Sequence, residues 1–443
     1  MNRISLEKIS KIINSGLTPL RSNKEFWIDG NIPWVKTEQL GEKYIHDSNE
    51  KITNYALQNT SIKLNPENTL SIAMYGEGKT RGSVSILKTE TTTNQACCNI
   101  VIDEKKADFE FVYYYLKTQY DNLRNLSSGV RKNLNSRDIK NFEISLPNLQ
   151  TQKQIAKVLS DLDAKIEINN KINQELEAMA KTLYDYWFVQ FDFPVALATS
   201  SELDSEPLTS ENLKPYKSSG GKMVFNEELK REIPFGWEVG TLLDIANFQN
   251  GLACQKFRPI NDDFLRVIKI KDMKEGFSEK TEKVRPDVPD KIKIFNGDIL
   301  FSWSASLEVI QWSGGNGALN QHIFKVTSEK HPKSYYYFEL LNYLQHFKMQ
   351  AELRKTTMGH ITQEHLKQSR IVIPPKKIIN QLDIIINPIL EKVNKNKIEN
   401  QKLSELRDWL LPMLMNGQIT VKEAKEHINQ AAEPQENYSK SNG

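Results

Sequence analysis

Two stretches half a protein apart share the same polar residues in the same register. Residues 169–183 have the sequence NNKINQELEAMAKTL, and residues 396–410, displaced by 227 positions, have the sequence NKIENQKLSELRDWL. Both contain the pattern Asn-Gln-x-Leu, at 173–176 and at 400–403. Leu, Glu, Lys and Gln recur in both stretches, and these residues favour helix. We therefore predict a long helix at each position.

Apolar residues around both stretches recur with a period of about 3.5 residues, as in paired helices. The two apolar heptad positions hold Ile155, Leu159, Leu162, Ile166, Leu176, Ala180, Leu183 and Trp187 in the first helix, and Leu382, Ile386, Ile389, Val393, Leu403, Leu410 and Leu414 in the second. Thr151 is the predicted N-cap of the first helix. Pro388 is expected in the first turn of the second helix and Pro412 at its end or at a kink, which predicts a shorter second helix. Arg407 interrupts the apolar pattern.

The remaining positions of this apolar seam hold asparagine. Asn169 and Asn173 occupy it in the first helix, and Asn396 and Asn400 occupy it in the second. An asparagine in a helix interface lowers stability but fixes the register, because a slipped pairing would bury it against leucine. We predict that the four residues set the register of two helices that pair with each other. The alternative is that they face solvent on helices packed separately.

The rest of the chain is also repeated, which indicates that a unit of about 190 residues occurs twice. Asn94-Gln95 corresponds to Asn320-Gln321, each before a predicted strand. Each unit begins with short β-rich segments and short helices, and its long helix follows. The predicted boundaries are a first domain at 1–147, a first helical region at 148–193, a connector at 194–232, a second domain at 233–375, a second helical region at 376–420 and a polar tail at 421–443. We call residues 1–147 the first copy and residues 233–375 the second copy.

Composition indicates an ordinary globular protein. The chain has 443 residues, 39% hydrophobic and 26% charged, with a net charge of +3, so any basic surface is local. Cys97, Cys98 and Cys254 do not suggest a disulfide framework, since adjacent cysteines are poorly placed to bridge each other. No apolar run approaches the roughly 20 residues of a membrane helix. We expect a cytoplasmic protein without a membrane partner.

Motifs for catalysis are missing from the sequence. Residues 75–82 (YGEGKTRG) end like a phosphate loop, but Ala73 replaces its first glycine and residues 82–87 resemble a strand rather than a helix. His360 and His365 are five residues apart, which is not a metal-ligand spacing, and no cysteine pair accompanies them. No Asp-Pro-Pro-Tyr or Asn-Pro-Pro-Phe motif of an amino-methyltransferase occurs. The sequence predicts a chain with no catalytic and no metal-ligating residues.

Basic and amide side chains cluster in predicted loops at matching places in both copies. These side chains can pair with base edges, and lysine and arginine also bind phosphates. The candidate DNA-binding residues are Lys36, Lys79, Arg81, Asn94, Gln95, Arg131, Lys132, Asn133 and Arg137 in the first copy, and Lys269, Lys271, Asn320, Gln321, His360, Thr362 and Gln363 in the second. For each charged residue the alternative is an ordinary solvated surface position. For the Asn-Gln pairs the alternative is a structural turn bonded to its own backbone.

Together these features resemble the specificity subunits of type I restriction-modification systems. The resemblance covers nearly the whole chain and is carried by SGLTPLRSNKEFWIDGNIPWVKT (15–37), TTNQAC (92–97), residues 146–194 and GGKMVFNEELKREIPFGWEVGTL (220–242). The order and duplication of these segments are more telling than any one of them. In the second copy, LRVIKIKDM (265–273) replaces IPWVKTEQL (32–40), so individual contacts do not transfer directly.

The resemblance implies a mixed α/β fold, with two target-recognition domains separated by two long antiparallel coiled-coil helices. Each domain would recognise one half of a bipartite, asymmetric site in double-stranded DNA, and the helices would set the spacer. Two modification (methyltransferase) subunits would bind the helices, and restriction (translocase and nuclease) subunits would join them. S-adenosylmethionine, Mg²⁺ and ATP are expected on those partners only, with no cofactor on this chain. The alternative function is a coiled-coil interaction scaffold that does not recognise DNA sequence.

Overall fold

The computed structural model describes residues 2–76, 78, 80–126, 133–199, 214–353 and 360–432. It has the mixed α/β fold that the sequence predicts. The chain divides into two compact units, Met1–Lys165 with Leu403–Gly443, and Ile166–Lys402. Each unit contains one copy together with parts of both long helices. Among the described residues, no helix combines the length and apolarity that crossing a bilayer requires.

The first copy is built around a mixed sheet. Its strands are β1 (Asn2–Ser5), β2 (Ser10–Ser15), β3 (Ile32–Val35), β4 (Tyr44–Ile45), β5 (Glu50–Ile52), β6 (Thr69–Ala73), β7 (Val84–Leu87), β8 (Thr92–Thr93), β9 (Cys97–Ile102) and β10 (Glu143–Leu146). In the described residues, β2, β9, β6, β7 and β4 lie side by side in that order, and β5, β3 and β8 form a second sheet. Strands β6 and β7 pair antiparallel, so the phosphate-loop-like sequence is followed by a strand and not by the helix that a phosphate loop requires.

The helices of the first copy pack against its two sheets, and the first long helix follows them. They are α1 (Leu6–Ile9), α2 (Asn54–Asn59), α3 (Phe109–Thr118), α4 (Tyr120–Asn125), α5 (Ser136–Asn141) and the long helix α6 (Leu149–Phe188). Phe111 and Leu116 of α3 are fully buried against Leu70 and Ile100 of the sheet. Burial of such side chains contributes about 1.5–3 kcal/mol each.

The second copy repeats this arrangement. The strands from residue 214 onwards are β11 (Met223–Asn226), β12 (Arg231–Pro234), β13 (Glu238–Gly240), β14 (Asn247–Asn250), β15 (Leu265–Ile268), β16 (Lys283–Val284), β17 (Lys293–Ile294), β18 (Ile299–Ser302), β19 (Glu308–Gln311), β20 (Gly317–Leu319), β21 (Ile323–Thr327) and β22 (Ile371–Ile373). The order β14-β21-β18-β19 matches β2-β9-β6-β7, and β16-β15-β20 matches β5-β3-β8. The hairpin β11–β12 begins inside the segment that the sequence suggested was a connector.

The remaining helices complete the chain. They are α7 (Ala196–Thr199), α8 (Leu242–Ile245), α9 (Ile270–Glu275), α10 (Lys333–Leu353), α11 (Gln363–Gln368), the second long helix α12 (Lys376–Met415) and α13 (Val421–Ala432). Helix α13 lies where the sequence suggested a polar tail. Thr420 caps it by exchanging hydrogen bonds with Glu423, and Ala424 is buried in the core of its unit, so these residues form a helix.

The two long helices are equally long, at 40 residues each, so the prediction of a shorter second helix is wrong. Pro388 lies in the interior of α12 rather than in its first turn. Proline removes a hydrogen bond to the carbonyl four residues earlier, here that of Ile384. Ile384 is 66% exposed, so water can reach this part of the helix, while Ile386 and Leu390 on the other face are buried.

The N-cap of α6 also differs from the prediction. Asn148, not Thr151, is the capping residue, because its Oδ1 accepts a hydrogen bond from the Thr151 backbone N–H at 2.9 Å. Gln152 N–H bonds to the Asn148 carbonyl at 3.0 Å, which begins the helical ladder. Thr151 therefore lies in the first turn, three residues after the cap.

In the unit that contains the second copy, the four asparagines lie between α6 and α12. Asn169 Nδ2 donates to Asn400 Oδ1 at 2.8 Å, and Asn396 Nδ2 donates to Asn173 Oδ1 at 2.8 Å. Asn400 Nδ2 also donates to the Ile166 carbonyl at 3.3 Å. Each asparagine is at most 9% exposed. The partner residue number falls in one helix as it rises in the other, so the helices are antiparallel here.

A glycine in each copy allows the chain to pass close to the Asn-Gln segment. A Cβ at Gly16 would lie 2.2 Å from the Thr93 carbonyl oxygen, and a Cβ at Gly251 would lie 2.1 Å from that of Asn320. These distances are far below any allowed contact, and the obstacle is backbone. The same crossing in both copies shows that the repeat extends to local backbone geometry.

We expect Gly16→Ala and Gly251→Ala each to lower the free energy of unfolding by at least about 2 kcal/mol, since overpacking against rigid backbone forces the chain apart. Gly240→Ala is the matched control. Its Cβ would meet the movable end of the Ile373 side chain, so it should cost much less. Denaturant unfolding measures the free energy of unfolding of the three variants. Equal losses of stability in all three would contradict the role given to backbone crowding at Gly16 and Gly251.

Candidate nucleic-acid interface

The Asn-Gln segment of the first copy is a turn held by its own asparagine. Asn94 Oδ1 accepts a hydrogen bond from the Ala96 backbone N–H at 3.1 Å, and Asn94 N–H donates to the Val35 carbonyl at 2.9 Å. Gln95 at the tip is exposed, and its Oε1 accepts a hydrogen bond from the Thr18 hydroxyl. Asn94 therefore has a structural role, and Gln95 presents an amide to solvent.

The second copy contains the same turn. Asn320 N–H donates to the Ile268 carbonyl at 3.1 Å, and Asn320 Oδ1 accepts from the His322 N–H at 3.4 Å. Asn320 is 7% exposed, whereas Gln321 is exposed. Two sequence segments thus fold alike, and each leaves one glutamine at the tip.

Backbone hydrogen bonds bring further candidate residues to each turn. In the first copy, Met74 N–H bonds to the Ala96 carbonyl at 2.8 Å, and Leu134 N–H bonds to the Met74 carbonyl at 3.1 Å. Asn133 precedes Leu134 and is half-buried, and exposed Arg137 follows on α5. Residues distant in sequence therefore meet beside Gln95.

The equivalent bonds in the second copy centre on a tryptophan. Trp303 N–H bonds to the His322 carbonyl at 3.3 Å, and Ile361 N–H bonds to the Trp303 carbonyl at 2.9 Å. This places His360 at the turn. Thr362 and Gln363 are exposed at the start of α11, and the Thr362 N–H donates to His365 Nδ1 at 3.0 Å.

Side chains at equivalent positions differ between the copies. In the second copy, the Trp303 ring lies 5.4 Å from the His322 ring and 5.6 Å from the His360 ring. Trp303 Nε1 donates to Asn250 Oδ1 at 2.9 Å. The first copy has Met74 in place of this tryptophan and Ala96 in place of His322. The backbone is shared, and the surface chemistry is not.

Lys36 and Lys269 are equivalent residues, and both form ion pairs within their copy. They follow β3 and β15, directly after the carbonyls that hold the two turns. Lys36 Nζ lies 2.9 Å from Glu50 Oε1, and Lys269 Nζ lies 2.6 Å from Glu282 Oε2. Glu50 is the first residue of β5, and Glu282 directly precedes β16. In each copy this is the edge strand that pairs with the strand before the lysine. Hydrogen bonds to Glu38 and Glu50 raise the pKa of Lys36, and Arg21 and Lys36 lower the pKa of Glu50.

Of the five remaining predicted positions, the structure describes two. Lys271 is exposed on α9 and lies 3.6 Å from Glu275. Arg81 is half-buried, and its carbonyl accepts a hydrogen bond from Arg124 at 3.1 Å. Lys79, Arg131 and Lys132 lie outside the described residues.

Sequence reasoning missed several residues of these surfaces. Arg21 lies over the Trp27 ring at 3.8 Å and pairs with Glu50, which fixes it beside Lys36. Trp303 and His322 were also missed, although His322 directly follows Asn320-Gln321. In the described ranges, no three His, Cys, Asp or Glu side chains are grouped so that they could hold a metal ion. The surfaces present amide, imidazole, aromatic and basic groups, which suit the contacts that proteins make with DNA bases and phosphates.

Known proteins resemble the chain along nearly its whole length. A family model described as type I restriction modification DNA specificity domain matches residues 1–178 and 234–408. The MjaIX specificity subunit of Methanocaldococcus jannaschii is 28% identical over 441 residues, covering 94% of each chain. The HindI specificity subunit of Haemophilus influenzae is 25% identical over 334 residues, covering 66% of this chain and 72% of that one. Both relatives are named as subunits of type I restriction enzymes.

A solved structure supports the fold. The crystal structure of the type I restriction-modification system S subunit from M. genitalium superposes with a TM-score of 0.55 at 15% sequence identity. It covers 93% of this chain and 95% of that one. At this identity the similarity concerns the fold alone.

We expect that Glu50→Gln and Glu282→Gln each strengthen non-specific DNA binding. Glu282→Gln removes the carboxylate that pairs with Lys269, and Glu50→Gln removes the partner of Arg21 and one of the two carboxylates that pair with Lys36, the other being Glu38. Both pairs are partly exposed, with side-chain exposures of 28% and 31% for Lys36 and Glu50 and of 45% and 29% for Lys269 and Glu282, so each substitution should cost little stability. The plot of log affinity against log salt concentration should steepen by about 0.9 for each additional phosphate that a freed lysine neutralises.

The control for this measurement is Glu67→Gln. It breaks the Lys88–Glu67 pair and changes the net charge equally, but Glu67 lies just before β6, at the end of that strand opposite Met74. An equal steepening in this variant would show that only net charge matters and would contradict the assignment of the two lysines.

Proposed function

Because the chain belongs to the type I restriction-modification DNA specificity family, we propose that it is the subunit through which such a complex recognises its DNA sequence. Each copy would contact one half of a bipartite, asymmetric site. The long helices would set the spacer between the halves and bind the modification subunits. The observation that carries this proposal is the duplicated turn, which has one backbone geometry and two different sets of exposed side chains.

The contacts divide into two kinds. Exposed Gln95 and Gln321 are suited to base edges, since an amide can donate and accept at once. Lys36 and Lys269 are suited to DNA phosphates near those bases. Each lysine would exchange its glutamate partner, Glu50 or Glu282, for a phosphate when DNA binds. Asn94 and Asn320 would act through the turn that they hold.

Catalysis would lie in partner subunits. DNA and the other restriction-modification subunits are the general partners of this family, and two modification subunits per chain with additional restriction subunits is the assembly that we propose. S-adenosylmethionine, Mg²⁺ and ATP would be held by those partners and not by this chain. Such a complex would act on DNA in the cytoplasm.

The test is the methylation pattern of host DNA. Deleting this chain should remove one bipartite, asymmetric methyladenine motif from the genome, and restoring the wild-type chain should restore it. Sequencing that detects modified adenine measures both. Persistence of every motif after deletion would contradict the proposal.

The competing function gives a different result. A coiled-coil scaffold without sequence recognition would bind all duplexes equally, even with the modification subunit present. Competition binding between a duplex carrying the motif and a scrambled duplex of the same composition separates the two functions.

A further inference from the structure

Arg407 interrupts the apolar seam of α12, and the structure shows what it contacts. Its Nη1 donates to Asp163 Oδ1 on α6 at 2.8 Å. Both residues belong to the unit that contains the first copy, where Leu159 and Leu162 of α6 share a core with Leu410 of α12. The arginine therefore links the two long helices within this unit.

Asp163 also links the helices to the first copy. Its Oδ2 accepts a hydrogen bond from the Tyr114 hydroxyl of α3 and lies 3.5 Å from Lys43 Nζ. Lys43 Nζ donates to the same Tyr114 hydroxyl at 2.8 Å and lies 3.3 Å from Glu110 Oε1. The Tyr114 oxygen thus accepts from Lys43 and donates to Asp163, so the hydrogen-bond directions are consistent.

These contacts form one network, which we call the hinge network: Lys43, Glu110, Tyr114, Asp163 and Arg407. Its members carry two positive and two negative charges, and Arg407 Nη2 also donates to the exposed Asp408 at 2.8 Å. The side chains are largely buried, with exposures of 11% for Lys43, 21% for Glu110, 16% for Asp163 and 28% for Arg407. Burial also raises the pKa of Tyr114, which keeps its hydroxyl protonated as a donor.

A buried network of this kind contributes more to geometry than to stability. Taking charges out of water costs about as much as their attraction returns, so apolar replacements of similar volume are often neutral or stabilising. Apolar packing tolerates small rotations, whereas hydrogen bonds between ionised groups lose strength within a few tenths of an ångström. The network joins the loop before β4, α3, α6 and α12, so it restrains the first copy in more than one direction.

The second unit attaches its copy differently. Tyr184 of α6 donates to Glu339 of α10 at 2.6 Å within an aromatic cluster that includes Phe188, Tyr335 and Phe338. Burial raises the pKa of Glu339 to about 7. In the described part of this unit, the attachment depends more on packing than on an ion network.

We propose that the hinge network is a positioning device, which fixes the orientation of the first copy on the paired helices and makes the complex selective for one spacer length. The inference rests on the proposed function, since a spacer exists only if the chain recognises a bipartite site. The hinge residues would not contact DNA. They would act through the orientation of the residues that do.

The test uses the full chain with its modification subunit. Plasmids carry both half-sites at the native spacer and at spacers one base pair shorter or longer, and the methylated fraction of each is measured. Asp163→Asn removes the central charge. Asp161→Asn is the matched control, because Asp161 lies two residues away on α6 in an exposed pair with Lys157.

We expect wild type and Asp161→Asn to methylate the native spacer alone. Asp163→Asn should lower the ratio of methylation at the native spacer to methylation at the altered spacers by about tenfold. This factor corresponds to about 1.4 kcal/mol. Both half-sites should remain necessary. An unchanged spacer preference in a folded Asp163→Asn protein would overturn the proposal.

A second variant separates positioning from stability. Replacing the network by apolar or neutral residues (Lys43→Met, Glu110→Gln, Tyr114→Phe, Asp163→Leu, Arg407→Leu) should keep or raise the melting temperature and still relax the spacer preference. A stable variant with wild-type spacer preference would also overturn the proposal. Where Asp163→Asn or the multiple variant does not fold, Tyr114→Phe alone removes one hydroxyl oxygen of the network. A relaxed spacer preference would then support the proposal, and an unchanged preference would overturn it. Methylation of plasmids that lack one half-site would instead indicate failure of the proposed function.

Discussion

The buried asparagine pairs between α6 and α12 are the constraint on which the rest of the structure depends. Asn169 with Asn400 and Asn173 with Asn396 hydrogen-bond across the interface of the two helices. A one-residue slip would leave these amides against aliphatic side chains, at a cost of about 1–3 kcal/mol for each unsatisfied group. Among the described residues, the buried Asn173 Nδ2 has no hydrogen-bond partner, which lowers stability. The asparagine pairs therefore fix the register of the helices at some cost in stability.

One backbone arrangement is used twice in the chain. A glycine too close to a carbonyl for any side chain, an asparagine that closes a turn and a glutamine at its tip recur at Gly16, Asn94 and Gln95, and at Gly251, Asn320 and Gln321. The backbone is constrained and the neighbouring side chains differ, as with Met74 and Trp303. Under the proposed function, this division would allow two domains of one fold to recognise different sequences.

Features encoded by local pattern could be predicted from sequence. The heptads placed the long helices and their asparagines, and the repeated Asn-Gln pairs marked both turns. The alternative interpretation of Asn94 and Asn320, a turn bonded to its own backbone, is the arrangement that the structure has.

Features that depend on distant partners could not be predicted. Lys36 and Lys269 looked like free cations because Glu50 and Glu282 are 13 or more residues away in sequence and become neighbours only through strand pairing. Arg407 looked like a defect because Asp163 and Tyr114 belong to other elements. Pro388 was misplaced because burial of one face of α12 outweighs the local cost of proline, which is about 3 kcal/mol in a helix interior.

The claim that the helices set the spacer is tested most directly by lengthening both helices while keeping their asparagine pairs. Seven residues are inserted after Asn173 in α6 and seven before Asn396 in α12, so both asparagine pairs are retained. The helices then lengthen by about 10 Å, equivalent to roughly three base pairs of DNA. Sequencing of methylated adenine in host DNA should show the same two half-sites separated by a spacer about three base pairs longer. An altered half-site, or an unchanged spacer, would contradict the claim that the helices set the distance between two independent DNA-recognition domains.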